Sequence, residues 1–318
     1  MIKVFDLLSG ALMTPQYIDD ALRNGISAVN ITVHNFSNIN PSPSMSDFLR
    51  DFAAVRAHYA GLSGRVRVVE SYADFGRADE ESKLAVVFGC QNVPEVGKDL
   101  KVLELFHGLG VRIMQISHNH RGLYADGCSE PNPGGLSQLG RELVATMNDL
   151  RIVVDLSHTG EPSSVEAIEL SKYPVAISHA NVQGVHMSVR NKSDETLDAL
   201  KKNRGVIGIC YLPPTVRGGD VKPTHDEVAA HVRYVRDRIG IDHVAIGSDF
   251  ITGQPASRYQ QFVSRPEVYG TWPWQYPVTG PEDQQRFLSS LAGSNLSPAD
   301  IQAVARGNAL RVFKAVMG

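Results

Sequence analysis

The residues best suited to chemistry stand at the ends of two short apolar runs in the middle of the chain. Ile152–Leu156 is followed by Ser157-His158, and Pro174–Ile177 is followed by Ser178-His179. A neutral imidazole is a common ligand of Zn, Fe, Ni and Cu, and two neighbouring imidazoles suit such an ion. The repeated pair therefore predicts a divalent metal site. The alternative is that each histidine only caps its strand end through a hydrogen bond.

The segment between the two runs indicates how the histidines come together. Glu161–Leu170 is predicted to be a short helix, with Pro162 in its first turn and Val165 and Ile168 among its apolar positions. A strand, helix and strand in this order form a parallel pair, whose C-terminal ends lie on one side of the sheet. We therefore expect both imidazoles at one rim.

The same alternation of strand and helix runs along the chain. Polar residues follow nearly every predicted strand, and these strands are Lys3–Leu8, Ala28–Val33, Leu84–Phe88, Arg112–Ser117, Ile152–Leu156, Pro174–Ile177, Val206–Cys210 and His243–Gly247. Arg65–Glu70 is either a short extra strand or a connector, and Ser297–Val316 is a closing helix. The pattern predicts an α/β protein with a (β/α)8 TIM barrel fold, formed as one domain over residues 1–318.

Composition excludes several classes of protein. The 318 residues are 42% hydrophobic and carry a formal net charge of −3, so no basic excess indicates nucleic-acid binding. The first residues, MIKVFDLLSGAL, do not resemble a signal peptide or a membrane span, and we expect a cytoplasmic protein without membrane partners. The 3 cysteines lack metal-motif spacing and do not suggest a disulfide framework.

Several segments carry a family resemblance. The runs LGRELVATMNDLRIVVDLSH, PVAISHAN, RNKSDETLDAL, AIGSDF and GNALRVFKAV resemble the membrane (renal) dipeptidase family, peptidase family M19, of the amidohydrolase superfamily. The resemblance covers essentially the whole chain, and the segments around Ser157-His158 and Ser178-His179 are its most specific part. It implies a metal-dependent barrel hydrolase that cuts small amides, typically dipeptides, including ones with a D-residue on the C-terminal side.

The resemblance also assigns roles to single residues. It implies that His158 and His179 bind one metal of a binuclear pair. It also implies that Asp249 handles the attacking water and that His118 polarises the scissile carbonyl. Arg190 and Tyr211 match the groups that hold the substrate carboxylate. These residue types suit such tasks on their own, since an Arg fork binds carboxylates and a carboxylate accepts protons. For Arg190, the alternative is a surface ion pair with Asp194 or Glu195.

The chain departs from the family pattern at two strand ends. Leu8 and Gly10 occupy the positions of the family's His-x-Asp pair, and Gln91 occupies that of the bridging carboxylate. Neither Leu nor Gly binds metal, and a neutral amide does not offset the repulsion between two cations. We therefore predict one Zn per chain, held by His158 and His179 and completed by some of Gln91, Cys90, Asp249 and His34.

Three further features have open interpretations. His34, at the end of the second strand, could replace a lost ligand, contact substrate or only hold its loop. Cys90 could be a soft ligand or a nucleophile, although a strand-end cysteine is more often a small buried hydrophobe. The cluster Trp272-Pro273-Trp274-Gln275-Tyr276 suits a lid over an apolar substrate or a contact in an oligomer such as a homodimer.

The sequence favours a metallohydrolase that cleaves an amide or related C–N bond in a small carboxylated molecule. One rival is a barrel that has lost catalysis and serves as a binding or scaffold protein, which the two altered strand ends favour. Another is a non-peptidase hydrolase acting on a cyclic amide or a C–C bond.

Overall fold

Parallel strands close into a barrel in the computed structural model, which describes residues 1–33, 44–94, 96, 98–218, 221–254 and 271–318. Neighbours pair in the order β1-β2-β4-β5-β6-β7-β8-β9, and β9 pairs back with β1 between Asp6 and Ile246. β3 is an additional strand beside the first half of β4. The strands are β1 Val4–Asp6, β2 Ile26–Thr32, β3 Val66–Val68, β4 Leu84–Cys90, β5 Val111–Gln115, β6 Val153–Asp155, β7 Ala176–Ala180, β8 Val206–Ile209 and β9 Val244–Ile246.

Helices follow the strands, and several begin at a capping side chain. Thr14 accepts a hydrogen bond from the Tyr17 amide at 3.1 Å and Pro15 opens the first helix. Thr224 and Glu227 form a reciprocal capping box. The helices are α1 Pro15–Arg23, α2 Met45–Gly61, α3 Ala73–Glu80, α4 Val102–Gly108, α5 Gln138–Asp149, α6 Glu161–Leu170, α7 Asp194–Asn203, α8 Pro213–Val216, α9 His225–Ile239, α10 Pro281–Ser290, α11 Pro298–Gln302 and α12 Asn308–Met317.

The barrel interior is apolar and closed at one end. Strand residues alternate between the inside and the helical layer, so that Val153 belongs to the inner cluster and Val154 to the outer one. Phe313 of α12 joins the inner cluster and contacts the Phe5 ring at 5.1 Å. Arg311 of the same helix donates to the Arg204 and Asp242 carbonyls, just before β8 and β9. α12 therefore covers the N-terminal ends of the strands, and the chemistry is left to their C-terminal ends.

The structure confirms the predicted (β/α)8 barrel and shows Arg65–Glu70 to contain a strand. The predicted closing helix over Ser297–Val316 is present, and a π-helical turn at Ala303–Gly307 lies between α11 and α12. No helix in the described ranges is long and apolar enough to cross a membrane.

Candidate active site at the barrel mouth

Three imidazoles meet where β5, β6 and β7 end. The Nε2 atoms of His158 and His179 lie 2.9 Å apart, and their ring centroids are 4.9 Å apart. His118 stacks on His158 with 3.7 Å between centroids and 20° between planes. All three side chains are buried. The parallel β6-α6-β7 unit therefore brings the two predicted ligands together.

The partners of the other ring nitrogens fix which nitrogen carries the proton. His158 Nδ1 lies 2.7 Å from the Asn119 Oδ1 acceptor. His179 Nδ1 lies 2.8 Å from Ser178 Oγ, whose own proton goes to Asp155 Oδ2 at 2.6 Å. Both imidazoles thus donate from Nδ1, and both Nε2 lone pairs point into the same small space. A proton or a metal ion between the two Nε2 atoms removes the repulsion between their lone pairs.

A proton is disfavoured at this position. Burial lowers the pKa of His158 and of His179 well below the ordinary value, and the positive charges of Arg190 and Lys192 lower both further. Both rings are therefore neutral at physiological pH, which is the state that binds metal. Two bonds of about 2.0–2.1 Å to one ion reach across up to ~4 Å, so both nitrogens are within range of a single Zn.

One buried carboxylate binds the serine that precedes each histidine. Asp155 accepts hydrogen bonds from the amide and the hydroxyl of Ser157, at 3.1 and 2.8 Å, and from those of Ser178, at 2.9 and 2.6 Å. Each serine immediately precedes one of the histidines. Burial raises the pKa of Asp155, and these hydrogen bonds oppose that rise.

The same arrangement occurs across the barrel. Asp6 on β1 accepts from the amide of Ser248 at 2.8 Å and also from its hydroxyl, and Ser248 immediately precedes Asp249. Burial raises the pKa of Asp6 to about 7. A serine bound by a buried carboxylate thus stands before each of three candidate site residues: His158, His179 and Asp249.

Asp249 is held in an unusual conformation at the mouth. Its φ is +54°, in the left-handed region that Asp tolerates better than most residues. Its amide donates to the Leu8 carbonyl at 2.9 Å, and its carbonyl accepts from the Tyr276 hydroxyl at 2.8 Å. The side chain is partly accessible yet enclosed by protein, which raises its pKa to about 6, while the Arg190 charge opposes this.

Arg190 lies inside the site and is 4% exposed. Its guanidinium donates to the Ser157 carbonyl at 2.9 Å and to the His179 carbonyl at 3.4 Å. Asp194, the partner in the alternative interpretation, pairs instead with Arg238 at 3.0 Å. Arg190 is therefore placed beside the histidine pair, with donors beyond those two bonds for an anionic ligand.

Lys192 is a buried cation that the sequence analysis did not single out. Its amine donates to the Thr159 carbonyl at 2.5 Å and to Ser164 Oγ at 2.9 Å. Burial lowers its pKa. Together with Arg190 it makes the region around the imidazoles electropositive.

The other predicted site residues are placed as follows. The Gln91 amide donates to the Thr32 hydroxyl at 2.8 Å. Tyr211 packs its ring against Phe250 and Phe287, and burial raises its pKa well above the ordinary value. His34 lies outside the described residues. The catalytic, substrate-binding and metal-binding roles of all these side chains stay predictions.

Of the predicted metal ligands, the structure brings His158 and His179 together and does not bring a complete set to them. Within the described ranges, no group of three or more His, Cys, Asp and Glu side chains is arranged to hold a metal ion. Neither Cys90 nor Asp249 therefore completes the histidine pair in this arrangement. Leu8 is buried, and Gly10 lines a separate cavity of about 260 Å³. The donor set fits one ion with open coordination positions, and it does not fit a binuclear centre.

Sequence reasoning missed the residues that orient the histidines. Asn119 stands between His118 and His120, and Asp155 stands three residues before His158. The signal was present for Asp155, because the inward positions of a barrel strand are normally apolar and a carboxylate there requires partners. For Asn119 there was no such signal, since a loop amide is ordinary.

Comparison with known proteins extends this picture. The sequence profile of the membrane dipeptidase family, peptidase family M19, matches residues 14–265. The chain belongs to the membrane dipeptidase family. The matched range begins after Leu8 and Gly10, the positions that depart from the family pattern.

Two relatives illustrate the range of similarity. The chain is 30% identical to "Dipeptidase tcpJ" of Claviceps purpurea over 288 residues, which cover 89% of this chain and 63% of that protein. It is 29% identical, with a TM-score of 0.89, to the crystal structure of an amidohydrolase from Pseudomonas aeruginosa, over 100% of this chain and 97% of that one.

Other matches show that the fold is shared and how much of the relatives' length the chain covers. A dipeptidase structure assigned to family M19 has a TM-score of 0.82 at 20% identity and shares the fold. Against three curated relatives named as dipeptidases, the chain spans between 48% and 63% of their length.

Proposed function

We propose that this chain is a metal-dependent hydrolase that cleaves the amide bond of a dipeptide or a similar small carboxylated molecule. The observation that carries the proposal is the pair of facing Nε2 lone pairs on His158 and His179, 2.9 Å apart and oriented by Asn119 and Ser178. We infer that they hold one Zn per chain. Membership of the membrane dipeptidase family supports the same chemistry.

The ion would supply an acidified water, with a pKa of about 7, and a Lewis acid for the amide carbonyl. The protein supplies the rest. Asp249 accepts the proton of the attacking water, and His118 donates to the carbonyl oxygen. Arg190 and Tyr211 bind the substrate carboxylate, His34 contacts the substrate, and Gln91 is the further ligand we infer.

The test is a substrate panel on protein purified without chelator and supplied with Zn. We expect hydrolysis of dipeptides that end in L-Ala or D-Ala, and loss of that hydrolysis when the chelator dipicolinate is added. Activity on dihydropyrimidine-type cyclic amides alone would contradict the dipeptide assignment.

A second candidate is a binding or scaffold protein without catalysis. Leu8 and Gly10 at the end of β1, and the lack of a third described ligand, favour it. In that case the protein would bind dipeptides in the same panel and release them uncleaved.

The proposal includes a cytoplasmic setting and a homodimer. Cys90, Cys128 and Cys210 are all free thiols, as is usual in a reducing compartment. Light scattering coupled to size exclusion tests the dimer, and a mass of one 34.7 kDa chain would contradict it.

A further inference from the structure

A second cavity, of about 490 Å³, opens beyond the end of β9. Pockets of about 300–1,000 Å³ with mostly apolar and aromatic walls bind small ligands in proteins. The volume is sufficient for a large side chain. The wall includes Phe250, Trp272, Trp274, Tyr276, Val278 and Lys222.

This cavity is joined to the candidate active site by direct contacts. Phe250 follows Asp249 in the chain, and the Tyr276 hydroxyl donates to the Asp249 carbonyl at 2.8 Å. The Phe250 and Tyr276 rings lie 6.4 Å apart. Two wall residues are therefore fixed to the backbone of the residue that we assign to proton transfer.

The chemistry of the wall favours an uncharged ring or a large aliphatic group. Trp272 and Trp274 pack edge to face, with 5.1 Å between centroids and 71° between planes. Aromatic rings in this arrangement offer a further ring both faces and edges. Among the described lining residues none is acidic, and the one charged residue, Lys222, disfavours a basic side chain.

We propose that the cavity binds the side chain of the substrate's N-terminal residue and selects a large aromatic or aliphatic one over a small or basic one. The inference rests on the proposed function. Arg190 contacts the carbonyls of Ser157 and His179, at the ends of β6 and β7. A dipeptide with its carboxylate at Arg190 extends its other residue past the histidine pair towards Asp249 and this cavity.

The first test needs no catalysis. The chain contains 2 tryptophans, and both lie in the cavity wall, so intrinsic tryptophan fluorescence reports on this cavity alone. Titration with L-phenylalanine should give a saturable change in emission, whereas L-alanine and L-lysine should give none. An equal response to all three amino acids, or none to L-phenylalanine, would overturn the inference.

The second test measures selectivity. The ratio of kcat/KM for Phe-Ala over Ala-Ala should be about ten-fold or more in the wild type, as for hydrophobic side-chain pockets in general. Trp274→Ala should lower this ratio about ten-fold, mainly through KM for Phe-Ala. Tyr173→Ala is the control, since that ring packs against Arg151, just before β6, at the opposite end of the barrel.

The two tests separate the inference from the proposed function. If no dipeptide is cleaved while L-phenylalanine still changes the emission, the proposed function fails, and with it the assignment to a substrate residue, while the preference of the cavity for a large apolar side chain stands. If dipeptides are cleaved and Trp274→Ala leaves the ratio unchanged, the cavity assignment fails and the proposed function stands.

Discussion

Asp249 is the residue whose environment most directly sets the chemistry that we propose. Its pKa is raised to about 6 by burial. The carboxylate is therefore protonated, and unable to accept a proton, below that pH, and it becomes a competent base above it. We expect kcat/KM to rise with pH through about 6 and to lose this limb when the carboxylate is removed.

Asp249→Asn keeps the shape of the side chain and removes its basicity. Loss of a general base costs ~10²–10⁴-fold in rate, so the variant should keep its metal and lose most of its turnover. Metal analysis and pH-rate profiles of both proteins check this. If the variant instead loses metal and activity together, and excess metal restores activity, then Asp249 is a ligand.

Arg190→Lys tests the binding of the substrate carboxylate. Lysine keeps the charge and loses the planar fork that binds a carboxylate through two parallel hydrogen bonds. We expect KM for a dipeptide to rise about ten-fold or more, and KM for the corresponding dipeptide amide to change little. An equal rise for both substrates would indicate that Arg190 only supports the carbonyls of Ser157 and His179.

At the scale of elements, a buried carboxylate on one strand is hydrogen-bonded to a serine at the end of the neighbouring strand. Asp155 on β6 holds a serine on β7, and Asp6 on β1 holds a serine after β9. In each case the next residue projects into the mouth. A buried partner of this kind fixes the tautomer and orientation of a metal ligand.

Ser178→Ala tests this arrangement, because it removes the acceptor of His179 Nδ1 and one donor to Asp155. We expect Zn affinity to fall about 10–100-fold, as for other residues that orient ligands, with a loss of about 1.5–3 kcal/mol in the free energy of unfolding. Competition with a chromophoric chelator and thermal melts measure the two effects.

Ser163→Ala is the matched control. Ser163 is equally buried and donates one hydrogen bond, to the Gly134 carbonyl at 3.0 Å, on α6. The Ser163→Ala variant should have a lower free energy of unfolding and an unchanged Zn affinity. If both variants bind Zn equally well, the serine does not orient His179.

Strand ends were easier to predict than the helices between them. Apolar runs followed by polar residues located the eight barrel strands, because burial on both faces requires continuous hydrophobic segments. α10 was missed, since the sequence PEDQQRFLSS offers few apolar positions and only Phe287 and Leu288 are buried hydrophobics. α8 was missed because a single turn starting Pro213-Pro214 reads as a loop.

At the scale of the whole molecule, the barrel explains which parts of the site were predictable. Residues at adjacent C-terminal strand ends must lie close together, so the pairing of His158 and His179 followed from the fold alone. The burial of Arg190 did not follow from the fold, because its local neighbours Asp194 and Glu195 suggested a surface position. Asp194 pairs with Arg238 instead of Arg190, and Arg238 lies on α9, distant in the sequence.

The number of metal ions also belongs to this scale, since it depends on residues from several strand ends at once. Leu8 and Gly10 end β1 without a ligand, and the Gln91 amide after β4 is bonded to Thr32. Among the described residues, the Nε2 atoms of His158 and His179, after β6 and on β7, face each other at 2.9 Å, and no group of three or more His, Cys, Asp and Glu side chains is arranged to hold a metal ion. One ion per chain is the occupancy that this distribution supports.

The most direct test is the metal content of the wild type and of His158→Ala after purification without chelator and equilibration with Zn. We predict one tightly bound Zn per chain in the wild type and none in the variant, because a single imidazole ligand binds Zn too weakly. Two equivalents in the wild type, or one equivalent that persists in His158→Ala, would contradict a single site built on His158 and His179.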